Sequence, residues 1–253
     1  LNRVTVSIHG PDAVVHDGLT GVRGSFDQTL RGLRNLAAAR PARRLELHTS
    51  SVVVRRNLPH LAALRHLLEE LAVDRMCFNV MMAKGRGLER LETLMPRYRD
   101  VAGTFRALVA PLSVEARRRV SLADIPRCCV RGIPVEVVGE QERFQQFERT
   151  DSLGVSGIAH EDLGARAAGD GPDRDAARRL LERSAAADLA GDGRYYLTTR
   201  ELKDGLLRTR RDLCSECRYD AVCPGVWTAY TEAWGWDEFE PVRPAAGVPE
   251  KGA

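Results

Sequence analysis

The chain has 253 residues, 43% hydrophobic and 29% charged, a composition typical of a globular protein with a sizeable core. Its 38 basic and 35 acidic residues give a formal net charge of +3, and the two signs are interspersed, which argues against a nucleic-acid-binding surface. No apolar stretch approaches the roughly 20 residues of a membrane-spanning helix, and no secretory signal is visible. The six cysteines are clustered in a way that fits metal binding in a reducing cytosol better than a disulfide scaffold, so we expect a cytoplasmic location.

The first half of the chain alternates β-rich runs with amphipathic helical patterns. Strands are predicted at residues 3–8, 45–54 and 76–82. Helices are predicted after each strand: one with Ser25 as its N-cap, one opened by Asn57, and one over about residues 90–110. This is the pattern of parallel βα units, so we predict an α/β fold. Three parallel strands make a poor free-standing sheet, which implies further strands or a partner beside the first edge.

The second half changes in character. Residues 151–193 are rich in Ala, Gly, Asp and Arg, and are predicted to form a flexible insertion with a helix near 173–188. A cysteine-rich tail follows at about 195–243. We therefore predict two domains, with residues 1–112 in the first and residues 113–253 in the second.

Three cysteines in the tail have the spacing of metal ligands. Cys214 and Cys217 form a C-x2-C turn, and Cys223 precedes a Pro-Gly pair that bends the chain back toward them. Such a turn lets two thiolates converge on one metal or cluster while backbone amides point at the sulfurs. A closed site needs a fourth ligand, for which Cys128 is the best candidate and Cys129 its competitor.

Spacing alone leaves two kinds of site open. Four cysteines can hold a structural zinc ion as well as an iron–sulfur cluster. Cys77 lies within an apolar strand and is predicted to be a small core residue.

Two segments resemble the radical S-adenosylmethionine (SAM) superfamily, specifically members with a C-terminal auxiliary cluster domain of the SPASM or twitch type. The first segment, residues 4–36, contains an S-I-H-G strand end followed by H-D-x-L-T-G-x-x-G-S-F. The second, residues 214–242, contains C-x2-C-x5-C-x-G-x4-Y-x4-G. The resemblance implies the C-terminal half, strands four to six, of a partial (β/α)6 TIM-like barrel, followed by the small cysteine-rich domain.

The resemblance also implies how the chain would contact SAM. Alternation along the first strand places Thr5, Ser7 and His9 on one face. Ser7 is similar to the family's strand-four hydroxyl that contacts SAM. Arg55, or its neighbour Arg56, matches the basic residue that faces the SAM carboxylate. Met82 matches the position near the adenine. His9 and His16 are predicted to make hydrogen bonds within their loop.

For the tail, the resemblance favours iron–sulfur over zinc. It implies an auxiliary [4Fe–4S] cluster held by Cys128, Cys214, Cys217 and Cys223. The tail aromatics, Trp227, Tyr230, Trp234, Trp236 and Phe239, would then pack over that cluster and shield it from water.

The chain departs from the family where the catalytic cluster would bind. Neither the C-x3-C-x2-C loop nor a Gly-Gly-Glu type motif for the SAM amine is present. We therefore expect the first barrel strands to lie upstream of Leu1 or on a separate subunit, and this chain alone not to cleave SAM; its catalytic residues are unknown.

The function implied is the cluster-binding part of an enzyme that uses a 5′-deoxyadenosyl radical to modify a peptide, a cofactor precursor or another small molecule. The alternatives are a non-catalytic electron-transfer subunit and a zinc-stapled structural domain. No nucleic-acid or membrane partner is expected.

Overall fold

The computed structural model describes residues 2–43, 45–138, 155–170, 174–184, 194–198, 207–220 and 223–243. The chain divides into two compact units, Leu1–Gly139 and Glu140–Ala253. The first unit therefore extends beyond the boundary predicted near residue 112, because two further strands of its sheet follow that point.

The first unit contains five strands and seven α-helices among its described residues. In chain order they are β1 (Arg3–Ser7), α1 (Ala13–Thr20), α2 (Ser25–Arg43), β2 (Glu46–Val53), α3 (Leu61–Glu70), β3 (Arg75–Val80), α4 (Arg86–Glu89), α5 (Leu91–Leu94), α6 (Tyr98–Val109), α7 (Val114–Arg117), β4 (Val120–Ala123) and β5 (Glu136–Val138). Single 3₁₀ turns lie at Leu58–His60 and Arg127–Val130.

The five strands form one parallel sheet in the order β1-β2-β3-β4-β5. The parallel α/β prediction is confirmed for the three strands that it named. Two further strands, which were not located from the sequence, are β4 and β5, of four and three residues. Runs that short show too little periodicity to be recognised as strands.

One face of the sheet is apolar and covered by helices. Leu47, Phe78 and Leu122 lie on this face and are fully buried. Helix α2 packs against β1 and β2, and Phe105 of α6 meets Phe78 edge-on, with ring centroids 5.5 Å apart. This layer is the hydrophobic core of the unit, and burying it is the main favourable term in its folding.

Proline breaks the third predicted helix. Instead of one helix over residues 90–110, the chain forms α4, α5 and α6. Met95, which precedes Pro96, is extended with ψ of 122°, because the proline ring disfavours helical geometry in the residue before it.

The second unit contains β6 (Val155–Ala159), α8 (His160–Ala168), α9 (Arg174–Ser184), β7 (Arg194–Thr198), β8 (Arg208–Thr209), a 3₁₀ turn (Asp212–Glu216), β9 (Val226–Trp227) and α10 (Thr228–Trp234). Strands β6 and β7 pair antiparallel, as do β8 and β9. The segment predicted as a flexible insertion thus contains β6 and α8, and the helix predicted near residues 173–188 is α9.

Within the described part of the chain, none of the helices has both the length and the apolar composition needed to cross a bilayer.

Candidate functional site

The second face of the parallel sheet is polar. At one register level, each strand contributes a small or polar residue to this face: Ser7, Ser50, Cys77, Ser121 and Glu136. We call these five residues the polar row. A parallel sheet is normally apolar and covered on both faces. A row of hydroxyls and a thiol on one face therefore marks a surface suited to a hydrogen-bonding ligand.

Asn79 organises the middle of the polar row. Its Nδ2 donates to Ser50 Oγ at 2.7 Å, and its Oδ1 lies 3.5 Å from the Sγ of Cys77. Cys77 is half-buried beside these groups, so its predicted place in the apolar core is wrong. The strand is apolar on average, and only the register of its neighbours reveals that Cys77 lies on the polar face.

Charged side chains occupy the amino-terminal end of the same face. Arg3 Nε lies 2.9 Å from Glu46, His48 Nε2 lies 3.4 Å from the same carboxylate, and Arg75 lies 3.3 Å from Glu136. Exposed ion pairs of this kind add little stability. They do extend the polar character of the face from the polar row toward the amino-terminal ends of β1, β2 and β3.

Asn57 joins the carboxyl ends of β1 and β2. Its buried amide donates to the carbonyls of His9 at 2.8 Å and Val52 at 2.7 Å, and accepts from the Val54 N–H at 2.8 Å. The sequence indicated Asn57 only as the start of a helix. In the structure it is the residue that fixes the edge at which ligands of parallel α/β proteins bind.

Two histidines are interlocked at that edge. The His9 N–H donates to His16 Nδ1 at 3.0 Å, and the Val52 N–H donates to His9 Nδ1 at 3.2 Å. The rings stack with centroids 5.6 Å apart. The predicted loop hydrogen bonding of both residues is confirmed, although His16 lies in helix α1 rather than in a loop.

Asp17 caps helix α2. Its carboxylate accepts from Gly24 N–H at 2.6 Å, Ser25 Oγ at 2.9 Å and Phe26 N–H at 2.8 Å. The Phe26 N–H, first among these contacts, holds the pKa of Asp17 below its usual range. Ser25 is therefore the first residue of the helix and Asp17 is its cap, which corrects the N-cap predicted at Ser25.

The pair of His9 and His16 predicts that the free energy of unfolding falls in mild acid. Burial lowers the pKa of His9, with a further lowering by His16, and burial lowers the pKa of His16 against the opposing effect of Asp17. The unfolded chain binds more protons than the folded one just below the ordinary value of 6.5. The stability that the two neutral histidines contribute is therefore fully present above pH 6.5, and it is lost as the pH falls toward their lowered pKa values.

Urea unfolding between pH 7.5 and 5.0 checks this prediction. The double variant His9→Asn, His16→Asn should show a weaker pH dependence, with a remainder from His48, whose pKa burial also lowers. An unchanged pH dependence in the double variant would contradict the prediction. His60→Asn, at an exposed histidine, is the matched control.

The predicted SAM contacts lie at or beyond the carboxyl ends of the first three strands. Ser7 is the last residue of β1 and is exposed. Arg55 follows β2, and its guanidinium donates to the Met95 carbonyl at 3.3 Å. Met82 is half-buried, but β3 ends at Val80, two residues short of the strand predicted to include it. Their roles stay predictions.

The guanidinium of Arg56 is hydrogen-bonded to helix α1. It donates to the carbonyls of Gly18 at 3.2 Å and Val14 at 3.4 Å. A Cβ on Gly18 would lie 2.5 Å from this guanidinium, so Gly18 leaves the space that Arg56 occupies. Among the described residues, the guanidinium of Arg55 thus donates to fewer carbonyls than that of Arg56.

The tail cysteines lie in a tightly hydrogen-bonded turn between β8 and β9. The Cys217 N–H donates to the Cys214 carbonyl at 3.0 Å, and the Cys223 N–H donates to the Tyr219 carbonyl at 2.8 Å. The Gly225 N–H points at Cys223 Sγ, 3.4 Å away. An N–H directed at sulfur is the contact that stabilises a thiolate ligand in a metal or cluster site.

The donor chemistry thus fits an iron–sulfur cluster or zinc, since Cys214, Cys217 and Cys223 are half-buried thiols. Across the described ranges, no three His, Cys, Asp or Glu side chains are arranged to hold a metal ion. The thiol donors and the backbone N–H contacts therefore fit a metal or cluster site, but the described cysteine side chains do not converge on one point. Cys128 and Cys129 lie side by side in a 3₁₀ turn of the first unit, and the choice between them stays a prediction.

Aromatic residues of the tail pack on one another. Tyr230 lies at the centre of this aromatic cluster. The centroid of its ring is 4.6 Å from that of Trp234 and 5.7 Å from that of Phe239, and its hydroxyl donates to Glu238 at 2.9 Å. Trp227 is buried beneath the guanidinium of Arg208, 4.4 Å from its ring. This small core supports the strand pair that brackets the cysteines, and its cover over a cluster stays a prediction.

Comparison with known proteins gives two curated relatives and no matching family model. A protein of Oleidesulfovibrio alaskensis named AdoMet-dependent heme synthase is 32% identical over 89 residues, which is 35% of this chain and 22% of that protein. A protein of the same name from Nitratidesulfovibrio vulgaris is 30% identical over 107 residues, 42% of this chain and 28% of that protein. The chain thus spans about a quarter of the length of the two curated relatives that it matches.

Proposed function

We propose that this chain works in a radical SAM enzyme, with SAM bound on the polar face of the parallel sheet and an auxiliary iron–sulfur cluster bound by the cysteines of the tail. The polar row carries the proposal: hydroxyl or thiol side chains at one level of four adjacent parallel strands, Ser7, Ser50, Cys77 and Ser121. The names of the two relatives support SAM as the ligand.

The geometry of the row suits a ligand of this size and polarity. Serine and cysteine are small, so they leave room above the sheet while offering donors and acceptors. Ligands of parallel α/β folds bind at the carboxyl ends of strands. Ser7 lies at that end of β1, where its hydroxyl would contact SAM.

Arg55 would supply the positive charge for the SAM carboxylate. A guanidinium has five N–H donors. Among the described residues, that of Arg55 donates to the Met95 carbonyl, which leaves other donors for a carboxylate. Both guanidinium groups of the pair are exposed at the surface, but that of Arg56 already donates to two carbonyls of α1. Met82, half-buried beyond β3, would pack near the adenine.

In the tail, Cys214, Cys217 and Cys223, with Cys128 as the fourth ligand, would hold the auxiliary cluster. Such a cluster supplies one-electron transfer when bound. The chain's own contribution is to hold the thiolates, to direct the Gly225 N–H at sulfur and to exclude water with the aromatic core around Tyr230. The names of the relatives support a cofactor precursor over a peptide as the substrate.

The partner that we propose lies beside β1. Within the described residues, β1 pairs with β2 only and ends the sheet. A neighbouring strand there would satisfy its outward backbone groups, and the polypeptide that carries it would also supply the catalytic-cluster motif.

Ser7→Ala tests the SAM site. Loss of one neutral hydrogen bond is expected to raise the Kd for SAM about three- to tenfold by calorimetry. Thr5→Ala is the matched control, because Thr5 lies on the same face of β1 but one level closer to its amino end; its Kd should stay within about twofold. Equal effects of the two variants, or none, would refute the placement at Ser7.

Anaerobic reconstitution tests the cluster. We expect brown protein with iron and sulfide, and loss of both in Cys214→Ala, Cys217→Ala and Cys223→Ala. Colourless protein with one zinc ion per chain would instead establish the zinc-stapled alternative. Cys128→Ala should lower the iron content while its neighbour Cys129→Ala should not; equal losses would defeat the choice of Cys128.

A further inference from the structure

His9 makes hydrogen bonds through both its backbone and its ring at the carboxyl edge of the sheet. Its backbone N–H donates to His16 Nδ1 at 3.0 Å, its carbonyl accepts from Asn57 Nδ2 at 2.8 Å, and its ring Nδ1 accepts from the Val52 N–H at 3.2 Å. The ring stacks on that of His16, at an angle of 15°. Both ends of the residue and one face of its ring are thus fixed.

These contacts also fix the tautomer. A ring nitrogen that accepts an N–H hydrogen bond carries no proton, so the proton of the neutral His9 ring lies on Nε2. No hydrogen bond among the described residues uses His9 Nε2. The side chain is half-buried. His9 therefore presents one oriented donor, Nε2–H, at the edge of the polar face.

The location of the donor favours a ligand role. His9 lies two residues beyond Ser7, the last residue of β1, and its ring accepts from the backbone N–H of Val52, the register partner of Asn79. A donor fixed before the ligand arrives costs little conformational entropy on binding.

We propose that His9 Nε2–H donates a hydrogen bond to an oxygen of the ligand on the polar face, a carboxylate or hydroxyl oxygen, and so helps to determine which ligand is accepted. The inference rests on the proposed function, since it concerns the same site. Burial, together with the adjacent His16, lowers the pKa of His9, which keeps the ring a neutral donor at pH 7.

Two substitutions separate the donor from the structural contact. Asparagine at position 9 can still accept from the Val52 N–H but has no donor at the Nε2 position. Glutamine places an amide N–H close to that position. We expect His9→Asn to weaken SAM binding about tenfold by calorimetry, and His9→Gln to restore binding to within about threefold of the original chain. His60→Asn, at an exposed histidine of another element, should leave Kd unchanged.

A spectroscopic readout accompanies the affinities. In two-bond proton–nitrogen spectra, SAM should shift the Nε2 resonance of His9 and leave that of His60 in place. The inference would be overturned if His9→Asn left the Kd for SAM unchanged. It would also be overturned if His9→Gln bound SAM as weakly as His9→Asn and SAM did not shift the Nε2 resonance in the original chain. In both cases SAM binding itself would stand. Failure of the original chain to bind SAM would instead refute the proposed function, and the role of His9 toward SAM with it.

Discussion

Asn57→Ala is expected to destabilise the first unit by on the order of 3 kcal/mol. The truncation leaves three backbone groups without this partner: the buried N–H of Val54 and the half-buried carbonyls of His9 and Val52. A buried polar group that loses its hydrogen bond costs about 1–3 kcal/mol. The side chain is completely buried, so water does not replace it without local opening.

Urea unfolding followed by far-UV circular dichroism measures the loss, and hydrogen exchange locates it. Faster exchange is expected in peptides that cover residues 7–10 and 50–57. Asn35→Ala is the matched control, because Asn35 lies exposed in α2 and its replacement should change stability by less than about 0.5 kcal/mol. A change of that size at Asn57 as well would show that the amide does not hold the strand ends together.

Gly225→Ala is expected to destabilise the second unit by about 2–4 kcal/mol, from backbone strain and from crowding. Gly225 has φ of +89°, and a Cβ there would lie 2.7 Å from the Thr209 carbonyl oxygen. The same residue directs its N–H at Cys223 Sγ, so the variant should also bind less iron.

Tryptophan fluorescence follows this change directly, because all three tryptophans of the chain, Trp227, Trp234 and Trp236, lie within 11 residues of Gly225. Gly164→Ala is the control of opposite sign. Gly164 lies inside helix α8 with no atom within 4 Å of an added Cβ, so alanine should stabilise by about 0.5–1 kcal/mol. Equal destabilisation by both substitutions would argue against the close approach of Gly225 to β8.

The sequence predicted those elements whose patterns are long. The β-branched runs of β1 and β2 and the leucine spacing of α3 were sufficient, since each spans several periods of its pattern. Strands β4 and β5 were missed because four and three residues carry no period. The break at Pro96 had a signal, the proline itself, that the apolar spacing of the surrounding helix obscured.

The candidate site was harder to predict from the sequence than the fold, because it depends on the pairing register of the strands. Ser50, Asn79 and Ser121 are ordinary residues of their strands until the pairing places them level with Ser7. Cys77 was assigned to the core for the same reason. The capping rule could not find Asp17, because that rule concerns the residue directly before a helix and Asp17 lies within α1, eight residues before Ser25. For the tail, spacing identified the three cysteines, but side-chain convergence is not contained in spacing.

Alkylation of Cys77 is the most direct test of the central claim, that SAM binds on the polar face. Cys77 is half-buried in the middle of the polar row, so a bound ligand should cover it. Iodoacetamide labelling of the 253-residue chain under anaerobic conditions, read peptide by peptide, gives its rate with and without SAM, and Cys129 serves as the internal reference. We predict that saturating SAM slows the labelling of Cys77 at least fivefold and leaves that of Cys129 unchanged. Equal rates for Cys77 with and without bound SAM would contradict the claim.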